Sequence, residues 1–219
     1  MTCSNSRGDA MTIGSSTIDY SDGCSHPIDH APHSPVTARR SAAQPCPIGI
    51  RAARADEAPL MAAIEAAAAR RFDDIGMPHI ASSPPTDLAD LRERIDDDRA
   101  LVAFDAEGLR IVGFAIYRML GASRLYLEEV DVAPEQAGRR IGSALIEAVA
   151  ARARAAGARQ VVLSTFRHVP WNAPYYRRLG FVELDGNTLD AALTAIRATH
   201  VAHGLDESQR VFMARMVHE

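Results

Sequence analysis

The stretch Tyr126-Leu-Glu-Glu-Val-Asp-Val-Ala-Pro-Glu-Gln-Ala-Gly-Arg-Arg-Ile-Gly-Ser-Ala-Leu145 decides how this chain folds. Leu127, Val130 and Val132 lie among polar neighbours, as in a half-buried strand. Pro134 has no N–H to give to a sheet ladder and ends that strand. A short turn containing Gly138 follows. Ile141, Leu145 and Val149 then recur every four residues, the stripe of a helix. A helix entered this way points its unpaired N–H groups and its positive dipole end back at the strand tip, which makes an anion site. Arg139 and Arg140 add positive charge beside it.

Two common anion sites do not fit. No Gly-Lys-Ser/Thr closes the turn as in a P-loop, and Gly138 and Gly142 lack the G-x-G-x-x-G spacing of a dinucleotide fold. Composition narrows the field further. A chain of 219 residues that is 47% apolar can bury a real core, as one large domain or as a domain with an appendage. Its net charge of −4 argues against nucleic acid as the main partner. All 24 basic residues are arginine, a compositional habit rather than a functional signal. No run of 18 apolar residues suggests a membrane span, and no charged-then-apolar signal pattern opens the chain, so a cytoplasmic location is expected.

Residues 1–46 are rich in Ser, Asp, His, Pro and Gly and lack periodicity, so they read as a disordered extension, with one domain over 47–219. Cys3, Cys24 and Cys46 all precede the domain, which excludes a disulfide framework for its core. Cys24, His26, His30 and His33 are metal-ligand types, but their spacing fits no zinc pattern, and no metal is expected.

From Pro47 the texture changes. Ile48, Ile50 and Ala52 give a strand, and Asp56 is expected to cap a helix over 57–72. A loop covers 73–85, and Thr86 starts a second helix carrying Leu88, Leu91 and Ile95. Strands at 100–104 and 109–118, joined by a turn at 105–108, read as a hairpin. After the opening strand and helix, with Gly157 as the helix's C-terminal cap, Gln160–Thr165 suits a buried central strand. A short helix at 172–179, a strand at 181–184, a helix at 189–203 and a closing strand at 209–217 complete the order. A hairpin feeding a βαβ crossover implies a mixed α/β fold, with helices on both faces of the sheet.

The opening stretch resembles the coenzyme A pyrophosphate loop of the GNAT N-acetyltransferase superfamily, in which Val-x-Val-x-Pro leads into [Gln/Arg]-x-x-Gly-x-[Gly/Ala]. That signature falls on Ala137–Gly142, with Ala137 in place of Gln/Arg and Arg140 in place of Gly. Tyr175-Tyr-Arg-Arg-Leu-Gly-Phe181 resembles the same family's Phe-Tyr-x-x-x-Gly-Phe, at the expected distance one helix and one strand later. The element order over 47–217 is also similar to the family fold, with the helix at 189–203 as an addition. The run from Thr165 to Tyr176 looks like one unassigned bacterial subgroup.

The resemblance implies a bulged strand at 124–132 that splays from the strand at 160–165, with the acetyl-pantetheine arm of acetyl-CoA in the cleft. Backbone groups around Val130, Asp131 and Val132 would meet the pantetheine. Gly138, Arg139, Arg140, Ile141, Gly142 and Ser143 would hold the pyrophosphate. Asn172 is either a helix cap or a coenzyme ligand. Acetyl transfer needs a proton taken from an amine and a proton given to the leaving thiolate. By match to the family Tyr176 is the donor and Tyr175 its core neighbour. Successive strand residues face opposite sides, so one of Glu128 and Glu129 looks into the cleft. Tyr-Leu-Glu-Glu resembles the Leu-Glu-Asp run of polyamine acetyltransferases, which points to Glu128 as the base. Arg71, Asp73, Asp74 and His79 lie where the family's acceptor is bounded.

The expected function is direct acetyl transfer from acetyl-CoA to a primary amine, a small molecule, with no acyl-enzyme. The competing reading is a non-catalytic acyl-CoA-binding regulatory module, motivated by Ala137 and Arg140. Neither nucleic acid nor membrane is an expected partner, and homodimer formation is left open.

Overall fold

The computed structural model describes residues 48–105 and 110–217. The extension expected over 1–46, its Cys24–His33 cluster and residues 106–108 of the hairpin turn lie outside them. The chain runs β1 (Ile48–Ala52), α1 (Ala58–Ala69), α2 (Pro78–Ala81), α3 (Leu88–Asp96), β2 (Ala100–Asp105), β3 (Ile111–Leu120) and β4 (Arg124–Val132). It continues through α4 (Ile141–Ala155), β5 (Gln160–Phe166), α5 (Ala173–Arg178), β6 (Val182–Glu183), α6 (Ala191–Ala202) and β7 (Arg210–Met216). The strands form one mixed sheet in the order β1-β2-β3-β4-β5-β7-β6. Only β4 and β5 pair in parallel within it.

Helices cover both faces, as the element order implies. Ile141, Leu145 and Val149 of α4 pack on Leu125, Leu127, Val161 and Leu163. On the other face Met61 of α1 and Leu91 of α3 meet Val102, Phe114 and Ile116, and Leu193 and Ile196 of α6 meet Tyr126, Val162 and Phe212. Each such side chain contributes about 1.5–3 kcal/mol on burial. Gly157 closes α4 at φ +74, with its own N–H and that of Ala158 bonded back to Arg154 and Ala153.

Three local expectations change. Asp56 does not cap α1; it is exposed and pairs with Arg54. Glu57 occupies the N-cap position of α1 without a side-chain bond to that helix; its buried carboxylate instead closes the preceding 3-10 turn, accepting from the Arg54 amide at 2.8 Å and from both Arg51 Nη atoms at 2.8 and 2.5 Å. The expected loop at 73–85 contains α2, which begins at Pro78 because proline suits a helix's first turn. The cap of α3 is Asp87, accepting from the Ala89 amide at 2.7 Å, while the Thr86 amide is held by Glu65 of α1.

Two departures from a regular sheet create the site. Ile116 of β3 faces Glu129 of β4 and Tyr117 faces Leu127, so Glu128 is an extra residue, a β-bulge. The parallel ladder between β4 and β5 covers Arg124–Leu127 and Gln160–Leu163 and does not extend past the bulge. Beyond it the two strands part, and a cleft opens between them.

Candidate active site

The larger cavity of the cleft, about 690 Å³, is lined by the end of β4, the turn after it, the start of α4, and α5. The first bond of α4 runs from the Ala144 amide to the Arg140 carbonyl. The amides of Ile141, Gly142 and Ser143 therefore lie ahead of the helical ladder, as helix ends require. Gly138 turns the chain at φ +80, and Arg140 sits at φ +61. Arg140 occupies the position where the resembled signature has glycine. The backbone keeps the left-handed conformation that a glycine allows freely, at a cost of about 1–2 kcal/mol for a side chain that also adds positive charge. Arg140 and Arg178 line this cavity, and Arg139 is held by Gln136. A Cβ at Gly142 would lie 3.1 Å from the Tyr175 hydroxyl, so the helix start packs closely on α5. Unpaired amides, a helix dipole and guanidinium groups lining one cavity suit a polyphosphate such as the pyrophosphate of coenzyme A.

A smaller chamber of about 340 Å³ lies on the other side of the β4 edge. Arg71, Val130, Asp131, Trp171 and Tyr176 line both cavities, so the two meet there. Phe72 is packed against Phe166 and Trp171, each at 5.6 Å between ring centroids, and the Arg71 guanidinium lies 4.3 Å over the Trp171 ring. Glu65, Glu129 and Asp131 supply three carboxyl groups to this chamber. Enclosure in protein pushes the Glu129 acid well above the ordinary carboxylate range, and the neighbouring Asp131 and Glu65 charges push it further. The same enclosure raises Asp131 to about 6, and a hydrogen bond from protonated Glu129 offsets part of that rise. The two acids therefore share a proton near neutral pH. Tyr176 stacks edge-on against Tyr175 and Phe181. Burial, reinforced by the Asp131 charge, raises its phenol far above the ordinary tyrosine value and keeps it protonated.

The structure separates the two adjacent acids and places Glu129, not Glu128, in the chamber lining. Glu128 is not in the chamber: it lies 2.6 Å from Arg118 and 3.3 Å from Arg94, which neutralise it. The bulge at Glu128 interrupts strict alternation and turns Glu129 and Asp131 to the α1 and α3 face, while Val130 and Val132 pack on the α4 side. The signal was present in the sequence. Leu125 and Leu127 are odd-numbered and Val130 and Val132 even-numbered, so the apolar phase shifts between 127 and 130.

Asp131, expected to meet the pantetheine through its backbone, also offers its carboxyl to the chamber. Asn172 neither caps α5 nor lines the larger cavity. The residue lines the chamber, its Nδ2 donates to Thr165 Oγ1 at 2.7 Å, and its Oδ1 is buried without a hydrogen-bond partner. Tyr175 is more than core, because its hydroxyl pairs with the Ser143 side chain at the start of α4. Asp73, Asp74, His79 and His168 are exposed, and the lining of neither cavity includes them. Arg210, which lies on β7 far along the chain, lines the chamber, and no local motif marked it.

The acetyltransferase (GNAT) family model matches residues 61–181. Among solved structures, the chain is similar to N-acetylglutamate synthase from Neisseria gonorrhoeae, complexed with coenzyme A and N-acetyl-glutamate. Identity there is 16% over 78% of this chain and 35% of that one, with a TM-score of 0.60. It is similar to Rv2747 from Mycobacterium tuberculosis in complex with CoA, at 20% identity over 78% and 99% of the two chains and a TM-score of 0.59. The PaiA N-acetyltransferase from Thermoplasma acidophilum, in complex with coenzyme A, matches at 16% identity over 78% and 99%, with a TM-score of 0.57. The chain thus spans about a third of the synthase and nearly all of the other two.

Proposed function

Because this chain belongs to the GNAT acetyltransferase family, with acetyl-CoA as its cosubstrate, we propose that it transfers the acetyl group directly to the primary amine of a small molecule. One observation carries this reading: the anion-binding cavity and the acidic chamber meet at Asp131 and Tyr176. The thioester bridges that junction, with the pyrophosphate at 138–143 and the acceptor amine in the chamber.

Asp131, hydrogen-bonded to Glu129, takes a proton from the ammonium. The freed amine forms the C–N bond as the C–S bond breaks. Tyr176 gives its proton to the departing thiolate, and the second proton released from nitrogen returns to the phenolate. The chamber's carboxyl groups favour a cationic group on entry, and the junction's proton donor and acceptor stand on separate elements, α5 and β4. Glu128 serves as a positioning residue, tying the bulge to α3 and β3 through Arg94 and Arg118.

The test is coenzyme A release across a panel of amines, amino acids and peptides, with Asp131→Asn and Tyr176→Phe beside the parent chain. Release with at least one amine, lost in both variants while acetyl-CoA still binds, supports the reading. Saturable acetyl-CoA binding with no release from any amine would favour the non-catalytic module.

A further inference from the structure

The chamber is bipolar. Glu129 and Asp131 stand on the β4 side of the splayed cleft, and Arg210 stands on β7, which pairs with β5 on the other side. The side chain of Arg210 is only 11% exposed. Its Nη2 donates to the Ser164 carbonyl at 3.2 Å and hydroxyl at 3.3 Å, and its guanidinium lies 4.9 Å over the Phe166 ring. These contacts hold it in one orientation. Its counter-ion is incomplete. Glu207 Oε1 lies 3.4 Å from Arg210 Nε without hydrogen-bond geometry, leaving that buried nitrogen unbonded. The same Glu207 also accepts His200 at 2.7 Å and faces Arg197 at 3.8 Å. One carboxylate is thus shared by two guanidinium groups and an imidazole. A nearly buried arginine with a shared counter-ion is a site for another carboxylate, which its planar fork of donors suits.

Resting on the proposed amine acetylation for the reaction itself, we infer that the acceptor is a zwitterion, an α-amino acid whose carboxylate is held by Arg210 while its ammonium faces Glu129 and Asp131. An amine of the same body without a carboxylate would leave Arg210 facing apolar substrate. The aromatic walls at Phe72, Phe166 and Trp171 receive the rest of the molecule.

Trp171 is the sole tryptophan of the chain and lines the chamber, so its fluorescence reads acceptor binding directly. The full-length chain, saturated with coenzyme A, is titrated with L-phenylalanine and 2-phenylethylamine, L-leucine and 3-methylbutylamine, and L-glutamine and 4-aminobutanamide. In at least one pair the amino acid should bind about 10–100-fold more tightly, the worth of a charge-assisted contact. Arg210→Gln should erase that gap by weakening the amino acid alone, and Arg210→Lys should restore part of it. Equal or tighter binding of the carboxylate-free amines, equal weakening of both members by Arg210→Gln, or no saturable change with any of the six overturns the inference. Coenzyme A release from simple amines alone would overturn it and leave the proposed reaction standing. Arg210-dependent amino-acid binding with no release would do the reverse.

Discussion

The two cavities that meet at Asp131 and Tyr176 are built in opposite ways. The proposed coenzyme side comes mostly from one continuous run, the end of β4 through the start of α4, with α5 closing it. Its chemistry lies largely in backbone amides and two left-handed turns, so a substitution such as Arg140 for glycine preserves the shape. The proposed acceptor side gathers side chains from α1, the segment after it, β4, β5, the loop before α5, and β7. Its chemistry lies in charges whose values depend on one another. A backbone site tolerates sequence drift; a side-chain site is redefined by a single residue that turns the other way.

The largest effect should fall at the junction. Tyr176→Phe removes only a hydroxyl and should lower turnover about 10²–10⁴-fold, the usual worth of a positioned acid, with acetyl-CoA affinity unchanged by calorimetry. Tyr175→Phe should behave differently, raising the acetyl-CoA KM a few-fold with kcat held, because its hydroxyl braces Ser143. Equal loss of kcat in both would erase the division between the two sides. Next comes the coenzyme turn. Gly142→Glu drives bulk and a like charge toward the phosphates and Tyr175 and should weaken acetyl-CoA by about 100-fold, or roughly 2.7 kcal/mol. Undiminished affinity in a folded variant would move the phosphates elsewhere.

The acid pair offers a pH test with a definite sign. Asp131 titrates at about 6, so its proton-accepting form fills as pH rises through 6, and turnover should climb there. Stability runs the other way. A carboxyl whose folded value is raised binds its proton more tightly in the native state, so its contribution to stability is present below pH 4 and is lost as pH rises through 6. Asp131→Asn should therefore raise the melting temperature by a few degrees at pH 8, with the gain shrinking below pH 4. A variant less stable at pH 8 would mean that the carboxylate is well solvated or well paired. The smallest effect belongs to Arg140→Gly, which should relieve about 1 kcal/mol of backbone cost in thermal melts while slightly weakening acetyl-CoA. A destabilised Arg140→Gly would show that the side chain, rather than the backbone, holds the turn.

What the sequence determined by itself was what is local and periodic. The four-residue stripe of Ile141, Leu145 and Val149 and the strand before Pro134 specify β4-turn-α4, because one buried face and one missing amide are enough to set each element. The Tyr-Tyr-x-x-x-Gly-Phe run similarly set α5 beside the cleft, since its position follows from the crossover order. The apolar phase shift marks a bulge in the sequence, but tertiary structure decided at which residue it falls and so which acids face the chamber. A single extra residue at Glu128 reverses the facing of everything after it, and the ladder that reveals it lies on another strand. It also placed Arg210 in the lining of the chamber that holds Glu129 and Asp131. Nothing in the residues near Arg210 anticipates that, because strand pairing across β4, β5 and β7 joins positions about eighty residues apart, and a charge takes its meaning from what the fold sets opposite it.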